Sequence, residues 1–395
     1  MKNAVSIEFV SAHRLDDVRR LALQAARYPD VDMPWALDQI QGWQTARHKL
    51  PSWAATEGIV YPPHLSMEQC SSEFTARYKA EVAARIAGAD ARKLVDLTGG
   101  FGIDFSFMSR KFDEAVYVER QEQLCAIVRH NVQRLDLQHV AVLQGDATDY
   151  LHQLDHASVL FLDPARRDAN GAKTVGISDC TPDVMTMKEE LLGKSDHVML
   201  KLSPMLDWHQ AVSDLGCVAE LHIVSVANEC KELLLVLSPV ASETLRVYCV
   251  NDDTVFEADD ATVDEAVTTA ADVVAGNFLY EPNASIMKAG CFGLLCRRYG
   301  VGALSVNSHL LVSPHLVDDF PGRKFQVQAV CSMNKKALRQ ALAGVTQANI
   351  AVRNFPQTAE ALRRRLKLKD GGSLYLFATT LSDGSHVLII NKKMA

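Results

Sequence analysis

Two short segments of this 395-residue chain each end an apolar run with an acidic side chain, an arrangement suited to holding a ligand. The first is Asp96-Leu97-Thr98-Gly99-Gly100-Phe101-Gly102, and the second is Asp163-Pro164-Ala165-Arg166. Glycines let the backbone approach a ligand where a Cβ would clash, and a proline turns the chain outward after a strand. Ligands of open α/β sheets bind at the carboxyl ends of the strands. The two segments together therefore predict a cofactor pocket beside a reaction site.

Two further carboxylates follow strand-like runs between these segments. Glu119 ends the run Ala115–Val118, about twenty residues after the glycine turn, where a carboxylate can accept hydrogen bonds from both hydroxyls of a ribose. Asp146 follows the next run, in Gly145-Asp146-Ala147. Singly, both are more typical of strand ends or helix caps, and their order along the chain favours a nucleoside cofactor. Phe105 stands where the third glycine of G-x-G-x-x-G would fall, which disfavours a nicotinamide dinucleotide.

The hydrophobic pattern predicts the elements that position these residues. Residues 1 to about 90 have apolar residues at helical spacing and predict a helical N-terminal region. From Lys93 onward, short β-branched runs alternate with helix-length segments, which indicates βαβ units and a parallel sheet. Leu221–Val226 and Glu232–Leu237 are joined by too few residues for a crossover helix, so they must form an antiparallel hairpin. The predicted parallel strands are Lys93–Leu97, Ala115–Val118, Val140–Leu143, Val159–Leu162 and Val198–Leu202.

Five parallel strands followed by an antiparallel hairpin resemble the class I S-adenosylmethionine-dependent methyltransferases. The resemblance implies an α/β, Rossmann-like fold that binds S-adenosyl-L-methionine and transfers its methyl group. It places Asp96 near the methionine amino group of the cofactor and Asp146 near the exocyclic amine of adenine. The implied cofactor-binding residues are Asp96, Thr98, Gly99, Gly100, Gly102, Asp104, Glu119, Asp146, Ala147 and Asp163.

The segment Asp163-Pro164-Ala165-Arg166 resembles the D/N-P-P-[YFW] signature of that family, in which the acidic side chain and a backbone carbonyl accept the target N–H. The resemblance implies Asp163, Pro164 and Arg166 as catalytic residues. Ala165 and Arg166 replace a proline and an aromatic residue, so the face that would stack on a flipped base is missing there. Arg166 or Arg167 could instead bind a phosphate or a carbonyl oxygen. The segment therefore supports methyl transfer as the reaction, and it gives less support to a base as the methyl acceptor.

The residues near the predicted reaction site also narrow the acceptor atom. Methyl transfer needs an in-line approach of a lone pair and removal of a proton, and Asp163 could serve both. Carbon methylation of pyrimidines would need a nucleophilic cysteine, and the segment Lys201–Met205 contains none. Nitrogen is therefore the preferred acceptor and oxygen the second. Lys201 and Ser203 could line the pocket, although a snorkelling lysine and a turn serine explain them equally well.

Charge is distributed unevenly along the chain. Residues 321–395 carry 13 Lys and Arg against 3 Asp and Glu, a net charge of +10, whereas the preceding residues sum to −17. The densest basic stretch, Leu362–Lys369, would attract a polyanion, and a solvated helix face is the alternative. The predicted RNA-binding residues are Arg363, Arg364, Arg365, Lys367 and Lys369.

Several C-terminal segments resemble the THUMP-like tail of a bacterial methyltransferase family, and THUMP modules bind RNA in the enzymes that carry them. These segments are Tyr280–Gly290, Phe320–Arg323, Ala348–Pro356 and Gly371–Thr379. The expected organisation is a helical domain at 1–88, an S-adenosylmethionine-binding methyltransferase domain at 89–240, a connector or small acidic α+β subdomain at 241–320 and a basic THUMP-like α+β domain at 321–395.

Composition narrows the class of protein further. No apolar stretch is long enough to span a bilayer and the N-terminus has no long apolar core, so we expect a cytoplasmic protein without a membrane partner. Nine cysteines without a CxxC pair and dispersed histidines predict neither a disulfide framework nor a metal site. The leading hypothesis is a methyltransferase acting on structured RNA, either transfer or ribosomal RNA. The alternatives are a protein or small-molecule acceptor, and a non-catalytic RNA-binding protein that uses the fold as a scaffold.

Overall fold

The computed structural model describes residues 3–166, 176–240, 244–270 and 272–394. Contacts divide the chain into two compact units. Unit one comprises Met1–Glu220 and Glu232–Glu243, and unit two comprises Leu221–Lys231 and Thr244–Ala395. Within the described ranges, none of the helices is long and apolar enough to cross a membrane.

Unit one is built on a parallel sheet with the strand order β7 (Ser195–Leu202), β4 (Ala157–Leu162), β1 (Lys93–Asp96), β2 (Glu114–Glu119) and β3 (Val140–Gln144), and β9 (Glu229–Leu237) pairs antiparallel with β7. All six residues of β4 are buried, as expected for a central parallel strand covered on both faces. The pairing confirms the predicted α/β fold with five parallel strands and an antiparallel hairpin. The strands up to residue 237 are β1 (Lys93–Asp96), β2 (Glu114–Glu119), β3 (Val140–Gln144), β4 (Ala157–Leu162), β5 (Ala165–Arg166), β6 (Cys180–Thr181), β7 (Ser195–Leu202), β8 (Val218–Val226) and β9 (Glu229–Leu237), and residues 221–231 of the last two are grouped with unit two.

Several helices of unit one begin at side-chain caps that their sequences supply. Asp17, Asp32 and Ser72 each accept a hydrogen bond from a backbone N–H in the first turn of the helix that follows. The helices are α1 (Ala4–His13), α2 (Val18–Leu23), α3 (Met33–Lys49), α4 (Pro51–Ala55), α5 (His64–Gln69), α6 (Glu73–Ala87), α7 (Ile103–Met108), α8 (Glu122–Arg134), α9 (Ala147–Gln153), α10 (Val184–Gly193) and α11 (Trp208–Leu215). The helical N-terminal region is therefore present, and its residues cluster with the parallel sheet in unit one.

The hairpin of β8 and β9 is longer than the sequence pattern indicates. Ala227 and Asn228 alone form the turn, both with the left-handed backbone that a two-residue hairpin requires. The polar residues Glu229 and Lys231 had marked the segment as loop, but both belong to β9. Hydrogen bonds between the two strands extend them into the polar residues next to the turn. The pattern of apolar residues alone cannot show this extension.

Unit two contains a mostly antiparallel sheet with the strand order β13 (Gly302–Ala303), β14 (Leu311–Ser313), β12 (Phe278–Pro282), β15 (Gly322–Ser332), β18 (His386–Lys393), β17 (Leu374–Thr380) and β16 (Asn349–Arg353), and β16 and β17 are parallel. Alternate residues of its strands enter two separate cores, with Phe377 and Ile389 on one face and Leu376 and Leu388 on the other. Its strands are β10 (Arg246–Asn251), β11 (Thr254–Asp259), β12 (Phe278–Pro282), β13 (Gly302–Ala303), β14 (Leu311–Ser313), β15 (Gly322–Ser332), β16 (Asn349–Arg353), β17 (Leu374–Thr380) and β18 (His386–Lys393). Its helices are α12 (Asp260–Val263), α13 (Ala284–Ala289), α14 (Phe292–Tyr299), α15 (Lys335–Ala341) and α16 (Ala359–Leu366). The acidic segment 241–320 thus holds both helices and strands, while the four-part division drawn from the sequence stays a prediction.

Substitution of Gly99 by alanine should destabilise unit one. A Cβ at this position would lie 2.1 Å from Tyr117 Cε2, and Tyr117 is fully buried and has no room to move aside. We expect Gly99→Ala to lower the free energy of unfolding by roughly 1–3 kcal/mol in denaturant titrations. Gly193→Ala is the matched control because its Cβ would meet open space. Equal stability of the two variants would contradict this packing argument.

Candidate active site

The two motifs singled out in the sequence meet at the carboxyl edge of the sheet of unit one. β1 ends at Asp96 and β4 is followed by Asp163, and the two strands are neighbours. The backbone N–H of Asp163 donates to Thr98 Oγ1 at 2.6 Å, which ties the second motif directly to the first. Lys201 lies near the end of the adjacent strand β7. The chemistry-bearing residues of three neighbouring strands therefore share one edge.

The glycine turn is fixed by its contacts with β2. Gly99 packs against the ring of Tyr117, whose hydroxyl donates to the carbonyl of Gly100. Gly100 and Gly102 have φ values of 53° and 77°, a left-handed backbone that glycine adopts at little cost. The N–H of Gly100 donates to Glu119 Oε2 at 3.1 Å. The turn and the carboxylate predicted to hold a ribose are thus in direct contact.

Glu119 is oriented by backbone groups on both sides. Its Oε1 accepts from the N–H of Gln121 at 2.9 Å, and its Oε2 accepts from Gly100. Each carboxylate oxygen retains a lone pair that can accept from a hydroxyl. The acceptor oxygens at this position therefore fit the paired hydroxyls of a ribose.

Asp146 caps helix α9 by accepting from the N–H of Thr148 at 2.8 Å, which is the structural role considered for it from the sequence. Its side chain is 41% exposed, and Arg120 Nη1 lies 4.0 Å from Asp146 Oδ2. Ala147 is the first residue of α9 and is buried. A capping aspartate with one partly solvated oxygen can still accept from a ligand amine, so both roles of Asp146 are compatible.

Asp96 is 1% exposed and accepts from the N–H of Thr98 at 2.9 Å. Burial raises the pKa of Asp96 well above its ordinary value, and the nearby carboxylates of Asp104 and Asp163 raise it further. A cationic amino group beside Asp96 would reverse this effect by stabilising the ionised form. The position therefore suits the ammonium group of a ligand.

A buried cluster of charged side chains lies behind this edge. Lys79 of α6 is fully buried and pairs with Glu232 of β9, and its Nζ lies 3.3 Å from Asp104 Oδ1. Ser71 donates to Asp104 Oδ2 at 2.8 Å. Burial would raise the pKa of Asp104, but Lys79 and Lys201 hold it below its ordinary value. Asp104, predicted to bind cofactor, thus has its Oδ2 hydrogen-bonded by Ser71, whereas its Oδ1 has an ion contact with Lys79 but no hydrogen-bond partner among the described residues, and a cofactor contact stays a prediction.

Lys201 connects the buried cluster to the exposed carboxylate. Its Nζ lies 2.6 Å from Asp163 Oδ2 and 3.3 Å from Asp104 Oδ2. Burial would lower the pKa of Lys201, but these two carboxylates hold it well above its ordinary value. Lys201 is 14% exposed whereas Asp163 is 43% exposed. A charged lysine thus holds one oxygen of Asp163, and the Asp163 side chain still remains partly exposed.

The rest of the second motif is only partly described. Pro164 is buried, and Ala165 and Arg166 pair antiparallel with Thr181 and Cys180. The side chain of Arg166 and the whole of Arg167 lie outside the described residues, so the predicted phosphate contacts of these arginines stay predictions.

Sequence reasoning missed Lys79 and Glu232. A signal existed for Lys79, because it falls among Thr75, Ala76, Ala80 and Ala83, which form the buried face of α6. A lysine on the apolar face of a helix needs a buried anionic partner. That partner could not be read from the sequence, because Glu232 follows 153 residues later.

The basic stretch predicted to bind RNA spans the last turn of α16 and the residues that follow it in unit two. Leu362 is buried and anchors the helix, whereas four of the basic side chains around it are exposed. Arg363 is the exception, since it pairs with Asp370. The exposed basic residues are Arg364, Arg365, Lys367 and Lys369.

Fold and site together define a class I S-adenosylmethionine-dependent methyltransferase with a C-terminal THUMP-like domain, and the chain belongs to this family. Over its full length it is similar to a provisionally described methyltransferase of Porphyromonas gingivalis W83, whose crystal structure matches with 32% identity and a TM-score of 0.86 and covers 99% of this chain and 98% of that one. An uncharacterized S-adenosylmethionine-dependent methyltransferase of Mycobacterium tuberculosis, in the H37Rv and CDC 1551 strains, is 24% identical over 324 residues, 81% of this chain and 84% of the relative.

Three family profiles match separate parts of the chain. A profile described as "THUMP domain-like" covers residues 322–393, and one described as "ferredoxin-like domain" covers residues 278–321. A third, "Conserved hypothetical protein 95", covers residues 82–185. The protein is thus an enzyme of methyl transfer with S-adenosyl-L-methionine as its methyl donor, as predicted. In the part of the chain that the structure describes, no group of three or more His, Cys, Asp or Glu side chains could hold a metal ion.

Removal of the buried cation at Lys79 should be strongly destabilising. Lys79→Met would leave Glu232 buried without its partner and deprive Asp104 of one of its two lysines. We expect a loss of about 3–5 kcal/mol in the free energy of unfolding, measured by denaturant titration. Lys111→Met is the control, because Lys111 pairs with Glu81 at the surface and should cost at most about 1 kcal/mol. Similar losses of unfolding free energy in Lys79→Met and Lys111→Met would contradict the stabilising role of the buried charged cluster.

The raised pKa of Asp96 should make the cofactor-free protein sensitive to pH. The folded state keeps the Asp96 proton over a pH range in which the unfolded chain has released it, so this contribution to stability is lost as pH rises through the raised pKa. Asp96→Asn should therefore be more stable than the wild type at neutral pH, by on the order of 1 kcal/mol or more, and the difference should vanish in acid. Thermal unfolding from pH 4 to 8 measures it, with the exposed Asp149→Asn as control. A stability difference between the wild type and Asp96→Asn that does not change with pH would refute the raised pKa of Asp96.

Proposed function

We propose that this methyltransferase modifies a nitrogen of a base in structured RNA, either transfer or ribosomal RNA, in the cytoplasm. The observation that carries the proposal is the exposed carboxylate of Asp163, held by Lys201 and Thr98 at the carboxyl edge of the sheet. RNA as the substrate is supported separately, by the net charge of +10 over residues 321–395 and by the THUMP-like match to residues 322–393.

The side chains at this edge fit the separate parts of S-adenosyl-L-methionine. Asp96 would pair with the amino group of the methionine portion, Glu119 with the ribose hydroxyls and Asp146 with the adenine amine. The glycine turn would let the backbone approach the cofactor. When bound, the cofactor supplies a methyl group activated by a sulfonium charge.

Asp163 would hold the acceptor and take its proton. Lys201 occupies Asp163 Oδ2, so the other oxygen is left to accept an N–H of the substrate. A fixed acceptor at this point aligns the lone pair of the nitrogen for an in-line approach, and an ionised carboxylate can take up the proton as the N–C bond forms. Lys201 stays charged throughout and acts as a positioning residue for Asp163.

A second candidate acceptor is a protein or a small molecule. It is favoured by Ala165, since an alanine in place of an aromatic residue provides no ring to stack on a flipped base. A non-catalytic scaffold is less consistent with the site, because a structural role does not require the exposed, oriented carboxylate of Asp163.

A methyl-transfer assay separates these acceptors. The full-length protein would be incubated with S-adenosyl-L-methionine carrying a labelled methyl group and with extract from cells that lack the gene, and the extract would then be fractionated into RNA, protein and small molecules. We expect label in the RNA fraction. Asp163→Asn should lower the rate at saturating cofactor by roughly 10²–10⁴-fold because it removes the proton acceptor, whereas Asp149→Asn should retain the wild-type rate.

Label in the protein or small-molecule fraction would refute RNA as substrate and favour the second candidate. Absence of label from every fraction would refute catalysis. A wild-type rate in Asp163→Asn would refute only the role proposed for Asp163 and would leave RNA as the substrate.

A further inference from the structure

Three side chains in unit two form an ion cluster that methyl transfer does not use. Glu281, in β12, is 2% exposed. Its Oε2 accepts from Arg323 of β15, through both Nε and Nη2, and its Oε1 accepts from Nη2 of Arg353 of β16 at 2.6 Å. One carboxylate therefore serves two guanidinium groups and leaves the cluster with one net positive charge.

Both arginines keep donors that Glu281 does not use. A guanidinium carries five N–H donors, and Glu281 takes two from Arg323 and one from Arg353. The side chains of Arg323 and Arg353 are 38% and 36% exposed, so part of each reaches the surface. Their orientation is set by the buried carboxylate, which lowers the entropy lost when a ligand binds.

Two buried polar atoms at this cluster lack partners. Arg353 Nε and His309 Nδ1 have no hydrogen-bond partner among the described residues. His309 is near enough to Arg353 that, besides burial, the guanidinium charge lowers the pKa of His309. An unpaired buried donor such as Arg353 Nε is costly, and a bound acceptor is one way in which it is satisfied.

We propose that Arg323 and Arg353, held by Glu281, form a binding site for a backbone phosphate of the RNA substrate. A phosphate offers several acceptor oxygens, which match the planar forks of two guanidiniums better than a single lysine would. Arg353 ends β16, whose Val352 shares a core with Leu362 of the basic helix α16. The site would therefore fix the position of the RNA through directional hydrogen bonds. The exposed basic residues at the end of α16 would add electrostatic attraction that does not fix the position of the RNA. The inference rests on RNA being the substrate.

Binding of bulk transfer RNA to the full-length protein tests this site. Arg323→Gln and Arg353→Gln should each weaken binding at least about tenfold near 0.1 M salt, since each removes charge-assisted hydrogen bonds to the phosphate. Each should also reduce the slope of log K against log salt by about 1. Arg297→Gln is the matched control, because Arg297 lies in the same unit and pairs with Glu265 through the same two guanidinium nitrogens. It should bind within about twofold of the wild type.

A second measurement uses no variant and so does not depend on a variant that folds. Phenylglyoxal modifies exposed guanidiniums, and mass spectrometry of the wild-type protein would report protection by transfer RNA at each arginine. Arg323 and Arg353 should be protected and Arg297 should not.

The failures of the two proposals are distinguishable. Wild-type protein that binds transfer RNA while Arg323→Gln and Arg353→Gln bind equally well, or while neither arginine is protected, would overturn the phosphate site alone and leave the cluster as a structural ion pair. Wild-type protein that binds no RNA would overturn both this site and RNA as the substrate.

Discussion

The structure of unit one depends on placing a fully buried lysine. Lys79 carries its charge into the core of unit one, where the free energy of an unpaired ammonium group would be prohibitive. It is stabilised by Glu232 and Asp104, which come from the antiparallel strand β9 and from the first turn of α7. α6, α7 and β9 must therefore come together in one arrangement, and the glycine turn before α7 is fixed with them.

The same charges set the properties of the edge where chemistry takes place. Asp104 is shared between Lys79 and Lys201, and Lys201 in turn holds Asp163. Charge thus alternates from the interior outward, and Glu232, Asp104 and Asp163 each have a lysine within contact distance. Asp96 makes no ion pair with the described residues, and burial keeps its pKa raised although the charge of Lys201 lowers it in part, so a cationic ligand would favour its ionised form.

Much of the fold was predictable because it follows from local periodicity. The five parallel strands, the hairpin and the helical N-terminal region came from apolar spacing and from connection lengths, and the structure confirms them. Asp96 and Asp163 could be placed at one edge, since parallel strands end together. The pairing of Lys79 with Glu232 could not be predicted, because an ion pair across 153 residues leaves no periodic signal. Asp104 was assigned to the cofactor from its motif, whereas the structure surrounds it with Ser71, Lys79 and Lys201 from distant segments.

Calorimetric binding of S-adenosyl-L-methionine at neutral pH tests most directly the claim that the acidic edge of the sheet is the cofactor site. The wild type and Asp149→Asn should bind one equivalent with similar affinity, and Asp96→Asn should bind far more weakly although it remains folded. Equal binding by the wild type and Asp96→Asn, or no binding by folded wild-type protein, would contradict the account.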